Sequence, residues 1–310
     1  MGIKRSKKIL VLGWCSVVYA LACHPPSKTI RSATLRDEKT VPIGVMAALP
    51  QELVAIENIL ENKREQVIND HKFVTGDFGN FFLVTTLSGI GKVKAAMTAQ
   101  KLISTFYVKA IVFTGVAGAI NTQYEIGDVI IADKAFQHDF GYLGKKFHLH
   151  KPGILPEIGP FQKEEPIMYE LKANWPFVGK DSHSLQHIIA SVSRKAKEFL
   201  TPVVTNGKNY QPKLFEEGTI ATGDQFVVQE YKKADLKKLG ADLVEMEGAA
   251  VAQVAYENRI PTILARAISD KADENSNIDY SAFFEVVAQN SAKLITTILR
   301  DEQFVSFFEK

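Results

Sequence analysis

The chain has 310 residues, 46% of them hydrophobic and 23% charged, with a formal net charge of +2. That composition excludes a disordered or collagen-like polymer and suits one large α/β domain or two small ones with an ample core. The positive balance comes from Lys4, Arg5, Lys7 and Lys8. No acid precedes Cys23, so the chain beyond it is net acidic at −2 and carries no signature of nucleic-acid binding.

The first residues read as an export leader. A basic segment precedes an apolar run from Ile9 to Ala22, too short to span a bilayer comfortably but suited to a signal-peptide core. Ala20-Leu21-Ala22-Cys23 fits an Ala-x-Ala cleavage site. It also resembles a bacterial lipobox, with Ala20 where that pattern prefers Leu and Cys23 as the residue to be lipidated. The expected organisation is a signal peptide over 1–22, a Pro-, Ser- and Lys-containing tether over 23–40, and one domain over 41–310. Export to the periplasm or a membrane surface follows, with a lipid on Cys23 as the only membrane contact. Cys15 and Cys23 are the only cysteines, so the mature chain has no internal disulfide and its fold rests on its core.

The domain opens with an apolar run, Val41 to Ala48, flanked by turn-formers and expected as a buried strand. Pro50 and the spacing of Leu53, Ile56, Ile59 and Leu60 predict a helix, with Glu52 in its first turn, where the helix dipole favours a carboxylate. Phe73 to Thr86 predicts a hairpin around Gly79-Asn80. Ser88-Gly-Ile-Gly-Lys92 interrupts the pattern ahead of a helix over 93–106. Its glycines suit an anion at a helix N-terminus, although this is neither a Walker A loop nor GxGxxG. Ala110 to Phe113 reads as a strand closed by Thr114-Gly-Val-Ala-Gly118, where small residues allow either a tight strand-to-helix turn or a ligand against the backbone.

A further strand is expected over Gly127 to Asp133, leading into Phe136-Gln-His-Asp-Phe-Gly-Tyr142. Residues 143–182, rich in lysine and proline and without a clear period, predict a long irregular insertion. A helix follows over His183 to Leu200, then a strand from Gly218 that ends in Gly223-Asp224. Asp242 to Glu247 predicts a short strand meeting a helix from Gly248 to Tyr256, with only one of Glu245 and Glu247 expected to face a given pocket. Thr262 to Ile268 reads as a strand buried on both faces that breaks into Ser269-Asp270. A carboxylate there sits at a sheet rim where α/β folds bind ligands, although Ser and Asp also cap helices. A helix over Phe283 to Leu299 closes the chain. Alternating strands and helices make this an α/β domain with a central mixed, mainly parallel twisted sheet flanked by helices.

Six motifs, in order, resemble the nucleoside phosphorylase/nucleosidase superfamily, and within it the 5′-methylthioadenosine/S-adenosylhomocysteine nucleosidases. They are Ser88-Gly-Ile-Gly-Lys-Val93, Thr114-Gly-Val-Ala-Gly118, Gly127-Asp-Val129, Gly223-Asp-Gln-Phe226, Val244-Glu-Met-Glu247 and Arg266-Ala-Ile-Ser-Asp270, and the match runs over about residues 41–300. The resemblance implies hydrolysis of the N-glycosidic bond of adenine thionucleosides by a homodimer that needs no metal or cofactor. Asp270 then falls on the general acid that protonates adenine N7, held in place by Ser269, and Glu52 on the carboxylate that activates water, with Arg266 nearby. Met246 and Glu247 bracket the ribose, Phe226 stacks on adenine, the Val227 backbone reads its edge, and Ala117 and Gly118 give close backbone contact. Ile90, Tyr280 and Leu49 line the slot for the 5′-thio group, and Phe140 and Tyr142 reach toward the other subunit. Where the family often carries Ser, this chain has Val116.

Two rival readings remain at the level of sequence. A purine nucleoside phosphorylase needs cations around its phosphate, a place where Glu52 is repulsive. A polyanion-binding surface lipoprotein on the same scaffold would use Lys145, Lys146 and Lys151 of the insertion, but would have no use for Glu52, Glu247 and Asp270.

Overall fold

The computed structural model describes residues 40–143, 147–149, 168–171, 183–205 and 207–308. The leader, Cys23, the tether up to residue 39 and most of the 143–182 insertion, including Lys145, Lys146 and Lys151, lie outside them. Strand β1 (Val41–Ala47) passes through a 3-10 turn (Pro50–Glu52) and a one-turn helix α1 (Val54–Glu57). A meander of β2 (Glu61–Ile68), β3 (His71–Phe78) and β4 (Phe81–Leu87) follows, then α2 (Lys92–Phe106), β5 (Ala110–Phe113) and β6 (Val116–Ala119). Next come β7 (Val129–Ile131), β8 (Lys134–Gln137), β9 (Gly141–Leu143), β10 (Phe147–Leu149) and β11 (Tyr169–Glu170). Helices α3 (His183–Arg194) and α4 (Ala196–Phe199) precede β12 (Val203–Thr205), β13 (Lys208–Tyr210), β14 (Leu214–Phe215) and β15 (Thr219–Thr222). The chain ends with α5 (Glu230–Lys238), β16 (Leu243–Glu245), α6 (Gly248–Glu257), β17 (Thr262–Asp270), α7 (Ser276–Leu299) and α8 (Glu302–Phe308).

The main sheet runs β11-β8-β15-β16-β6-β17-β5-β1-β4-β3-β2, with β7 and β14 branching from β17. It is mixed: β1 is parallel to β4 and β5, whereas β3 is antiparallel to both β2 and β4. Strand β17 joins the halves. Its first residues pair in parallel with β5, the middle pairs antiparallel with β7, and the end pairs in parallel with β6. All nine of its residues are buried, which is why it reads as a continuous apolar run rather than an alternating one. Helix α7 packs against β17, and α2 against α6.

One local expectation changes, one strand is new, and two open alternatives are decided. The helix expected from Pro50 to Leu60 is only a 3-10 turn and a single helical turn, because the chain enters β2 at Glu61. Strand β2 carried no hydrophobic alternation: it is an edge strand of mostly exposed polar residues, a composition that discourages pairing with other chains. Thr114 to Gly118 does not turn into a helix but continues into β6 beside β17. Ser269 and Asp270 end β17 and cap no helix, since α7 starts six residues beyond Asp270.

Leu264, fully buried at the middle of the sheet, is expected to cost about 2–5 kcal/mol of stability on replacement by Ala. Urea unfolding should show a lower midpoint with an unchanged slope.

Candidate active site

The strand ends converge. Beyond β1 lies Glu52, beyond β5 the Thr114-Gly115 step, beyond β15 the loop Gly223 to Phe226, and at the ends of β16 and β17 Glu245 and Asp270. Together with β6 and the entry to α2 they enclose a cavity of about 450 Å³. Its walls include twelve of the residues singled out from sequence: Glu52, Ile90, Ala117, Gly118, Phe226, Val227, Met246, Glu247, Arg266, Ser269, Asp270 and Tyr280. Leu49 and Val116 line it as well. Phe140 is 39% exposed and absent from these walls.

Each acid in the cavity is buried and each is held by amide hydrogens, the arrangement that makes a desolvated carboxylate tolerable. Glu52 Oε2 accepts the Ala48 and Leu49 N–H groups at 2.9 and 2.8 Å. Burial nevertheless pushes its pKa above the ordinary glutamate value, opposed by the Leu49 amide, the Arg266 charge and the Ala48 amide. Asp270 Oδ1 accepts the Ala272 N–H at 2.9 Å, and Ser269 Oγ donates to Oδ2 at 2.8 Å. Gly118 has no room for a side chain, because a Cβ there would stand 2.8 Å from Asp270 Oδ1. Backbone of β6 thus passes directly against the acid.

Glu245 and Glu247 correct the reading that only one of the pair faces the pocket: both line it. Residues two apart on a strand share a face, and here β16 stops at Glu245 while Glu247 is already the N-cap of α6. Glu245 is a site residue to which the sequence reading gave no role. Its Oε2 accepts Arg266 Nη2 at 2.8 Å and Nε at 3.3 Å, and it takes the Gly248 and Glu247 N–H groups and the Thr222 hydroxyl. A fully buried arginine in a strand demands such a partner, and that demand was the available signal. Arg266 also donates from Nη1 to the Phe113 and Ala265 carbonyls at 3.1 and 3.0 Å, and its guanidinium lies 4.3 Å from the centre of the Phe113 ring.

Glu247 accepts the Gly91 N–H at 2.8 Å. Its pKa is pushed up to about 8, first by burial and then by Glu245 beside it, against the Gly91 hydrogen bond and the Arg266 charge. One side of the cavity is apolar and open: Phe226 is 46% and Ile90 53% exposed, and the Phe226 ring sits edge-on to Tyr280 at 5.8 Å. Tyr280 stacks on Phe284 behind it. Asn277, a polar residue at the rim that the sequence did not single out, completes that wall.

A mixed sheet whose strand ends meet in one carboxylate-lined cavity is the setting in which the family becomes clear. The chain belongs to the Phosphorylase superfamily, whose family model matches residues 42–300. Within it, the chain is 34% identical over 264 residues to a 5′-methylthioadenosine/S-adenosylhomocysteine nucleosidase of Mycobacterium bovis, covering 84% of this chain and 97% of that one. Among solved structures, it is similar to the S-adenosylhomocysteine nucleosidase of Streptococcus pyogenes in complex with 5-methylthiotubericidin. That likeness has a TM-score of 0.66 and 31% identity, over 84% of this chain and 96% of that one. It is also similar to the futalosine hydrolase of Helicobacter pylori, with TM-score 0.68 and 28% identity over 85% and 99% of the two chains.

The raised pKa of Glu247 has a consequence for stability. Below the ordinary value of 4.5 both states hold the proton, and between there and about 8 only the folded state does. Its contribution is therefore present at low pH and is lost as pH rises through about 8. Ligand-free Glu247→Gln protein should lose less thermal stability than wild type between about pH 5 and about pH 9, as followed by scanning calorimetry.

Proposed function

We propose that the protein hydrolyses the N-glycosidic bond of 5′-methylthioadenosine and S-adenosylhomocysteine, releasing adenine and the 5′-thio-substituted ribose. The observation that carries this is the meeting of Glu52 and Asp270, far apart in sequence, in one cavity that also holds Phe226 and Glu247. Adenine leaves poorly as an anion, so Asp270 delivers its proton to N7 as the C1′–N9 bond lengthens. Ser269 fixes the rotamer from which it does so. The sugar then carries cationic character, which nearby carboxylates stabilise. Glu52 takes a proton from the water that attacks C1′. Its raised pKa makes it a stronger base than an exposed glutamate. Glu247 accepts hydrogen bonds from the ribose hydroxyls, with Met246 against the sugar face. Phe226 stacks on the base, the Val227 backbone reads its edge, and Ala117 and Gly118 bring backbone close to it. Ile90 and Tyr280 flank the 5′ group.

Water rather than phosphate is the nucleophile. Arg266 is the only basic side chain among the described residues that line the cavity, and Glu245 already neutralises it. Asp270 holds the proton it delivers and Glu247 is pushed up to about 8, but Glu52 must be ionised to act as the base, so a phosphate dianion would meet a like charge and no unpaired cation. Export through the N-terminal leader, with lipidation of Cys23, is part of the proposal and is supported by the basic-apolar-cysteine pattern alone.

A second copy of the chain is proposed to cover the open side of the pocket. Ile90, Val93 and Met97 are 53%, 70% and 56% exposed and lie three and four residues apart, an apolar stripe at the entry and along one face of α2. In sedimentation measurements, Met97→Glu should convert a dimer into a monomer, and a wild-type monomer would remove this part of the proposal.

The activity itself is tested by mixing purified protein with methylthioadenosine in phosphate-free buffer and measuring free adenine. Release should need no phosphate. The Asp270→Asn protein should lose about 10²–10⁴-fold in kcat while still binding adenine-nucleoside analogues. Near-normal turnover by a folded Asp270→Asn protein would overturn the acid assignment.

A further inference from the structure

Three of the sequence motifs contribute residues that the proposed chemistry leaves without a role: Lys92 of the Gly-rich entry to α2, Asp139 after β8, and Asp224 in the loop after β15. The structure brings them together over the cavity. The Lys92 ammonium pairs with the Asp139 carboxylate and lies 3.7 Å from Asp224 Oδ2. The Lys92 and Asp139 side chains are only 15% and 17% exposed, so this pair is shielded in a way that ordinary surface ion pairs are not. Asp139 lies below the ordinary aspartate value even though burial pushes it up, because the Lys92 side chain and the Asp224 amide favour its charged form.

Backbone donors complete the cluster. Asp224 N–H donates to Asp139 Oδ2 at 2.8 Å, and Lys92 N–H donates to Asp224 Oδ1 at 2.9 Å. One residue earlier, Gly91 N–H donates to Glu247 Oε1 at 2.8 Å. The first N–H groups of a helix have no partner within it. Here two consecutive amides at the start of α2 are shared between a carboxylate on the sugar side and one on the base side.

The arrangement matters for Phe226, two residues beyond Asp224. That ring is nearly half exposed, so burial does not hold it in place. Its loop is held instead through Asp224 in the cluster and by the buried His138 ring packed against Gly223. A Cβ on Gly223 would stand 2.3 Å from His138 Nε2.

We propose that Lys92 is a positioning residue. Acting through Asp139 and Asp224, it fixes the loop that carries Phe226. Through the adjoining Gly91 amide, the same helix start fixes Glu247. The base-stacking wall and the sugar-binding carboxylate are thereby both tied to the start of α2, the first through the Lys92 cation and the second through a backbone amide. Lys92 touches neither base nor sugar in this scheme. The kinetic part rests on the nucleosidase reading above; the loop-ordering part does not.

The test uses the full chain with Lys92→Met, which keeps the apolar stem and removes the charge. In the ligand-free protein, amide hydrogen exchange over residues 223–228 should accelerate about tenfold or more, while the buried amides of β17 keep wild-type protection. With methylthioadenosine, KM should rise about tenfold and kcat fall far less, since base binding and not proton transfer is impaired. Lys92→Arg should restore most of both readouts. Combining Lys92→Met with Asp139→Asn should add little to either single change, because both cut the same link.

Unchanged exchange over 223–228 in Lys92→Met overturns the proposal whether or not the protein proves to be a nucleosidase. So does a loss confined to kcat, or an additive double variant. Should Lys92→Met fail to fold, Asp224→Asn at its half-exposed position carries the same expectations. Absence of adenine release by the wild type would sink the activity and leave the exchange measurement to decide the role of Lys92.

Discussion

One guanidinium balances the charge of this cavity. Arg266 faces Glu245 directly, and Glu52, Glu247 and Asp270 share the same enclosed space. Four carboxyl groups against one cation is an unfavourable sum in a desolvated setting. It is sustained because the backbone supplies what the side chains lack. Amides of residues 48 and 49 serve Glu52, those of 247 and 248 serve Glu245, that of 91 serves Glu247, and that of 272 serves Asp270. All these donors come from turns or helix starts immediately beyond strands, where N–H groups are free to be used. The sheet therefore does more than present side chains. It delivers at least one amide donor to every one of these buried acids, beside the hydroxyls of Thr222 and Ser269 and the Arg266 guanidinium.

The same balance sorts the acids by task. Glu245 is committed to Arg266 and to the start of α6, so it has no lone pair to spare for a ligand and serves as a counter-charge. Glu52 and Glu247 have one oxygen each tied to amides, and both are raised in pKa, chiefly by burial. Groups in that state are poised to take up protons or accept hydroxyls. Whichever of these acids hold protons, the one basic side chain among the described lining residues is already paired, so the cavity offers an incoming anion no free positive charge.

Much of the fold was legible because the strands that matter are buried on both faces. Val41 to Ala47, Ala110 to Phe113 and Thr262 to Asp270 appear as unbroken apolar runs for that reason. The edge strand β2 was invisible for the opposite reason, since mostly exposed polar residues leave no alternation to read. Local spacing likewise could not distinguish the 3-10 turn at Pro50 from a full helix. In the site, motif resemblance located the acids and the Ser269 partner of Asp270, but not the other pairings. The Glu245–Arg266 pair joins different strands, and the Lys92 cluster links positions 47 and 132 residues apart. Such pairings are properties of the folded sheet, which no window of sequence contains. The polar rim at Asn277 was hidden for a related reason: it sits in the first turn of α7, read from sequence as a helix starting later.

Burial divides the cavity into two parts with different freedoms. Glu52, Glu245, Glu247, Arg266 and Asp270 are all at most 7% exposed and interlocked through strands and amides, so their geometry is fixed before any ligand arrives. Ile90 and Phe226 are half exposed and lie on the entries and exits of elements rather than within them. A rigid floor with an adjustable wall lets the carboxylate geometry stay constant while the shape of the opening varies with a few rim residues. It also locates the structural risk. The floor is secured by burial, whereas the wall depends on whatever orders its loops, which makes the exposed anchors around Asp224 and the apolar stripe along α2 the places where substrate preference is open to change.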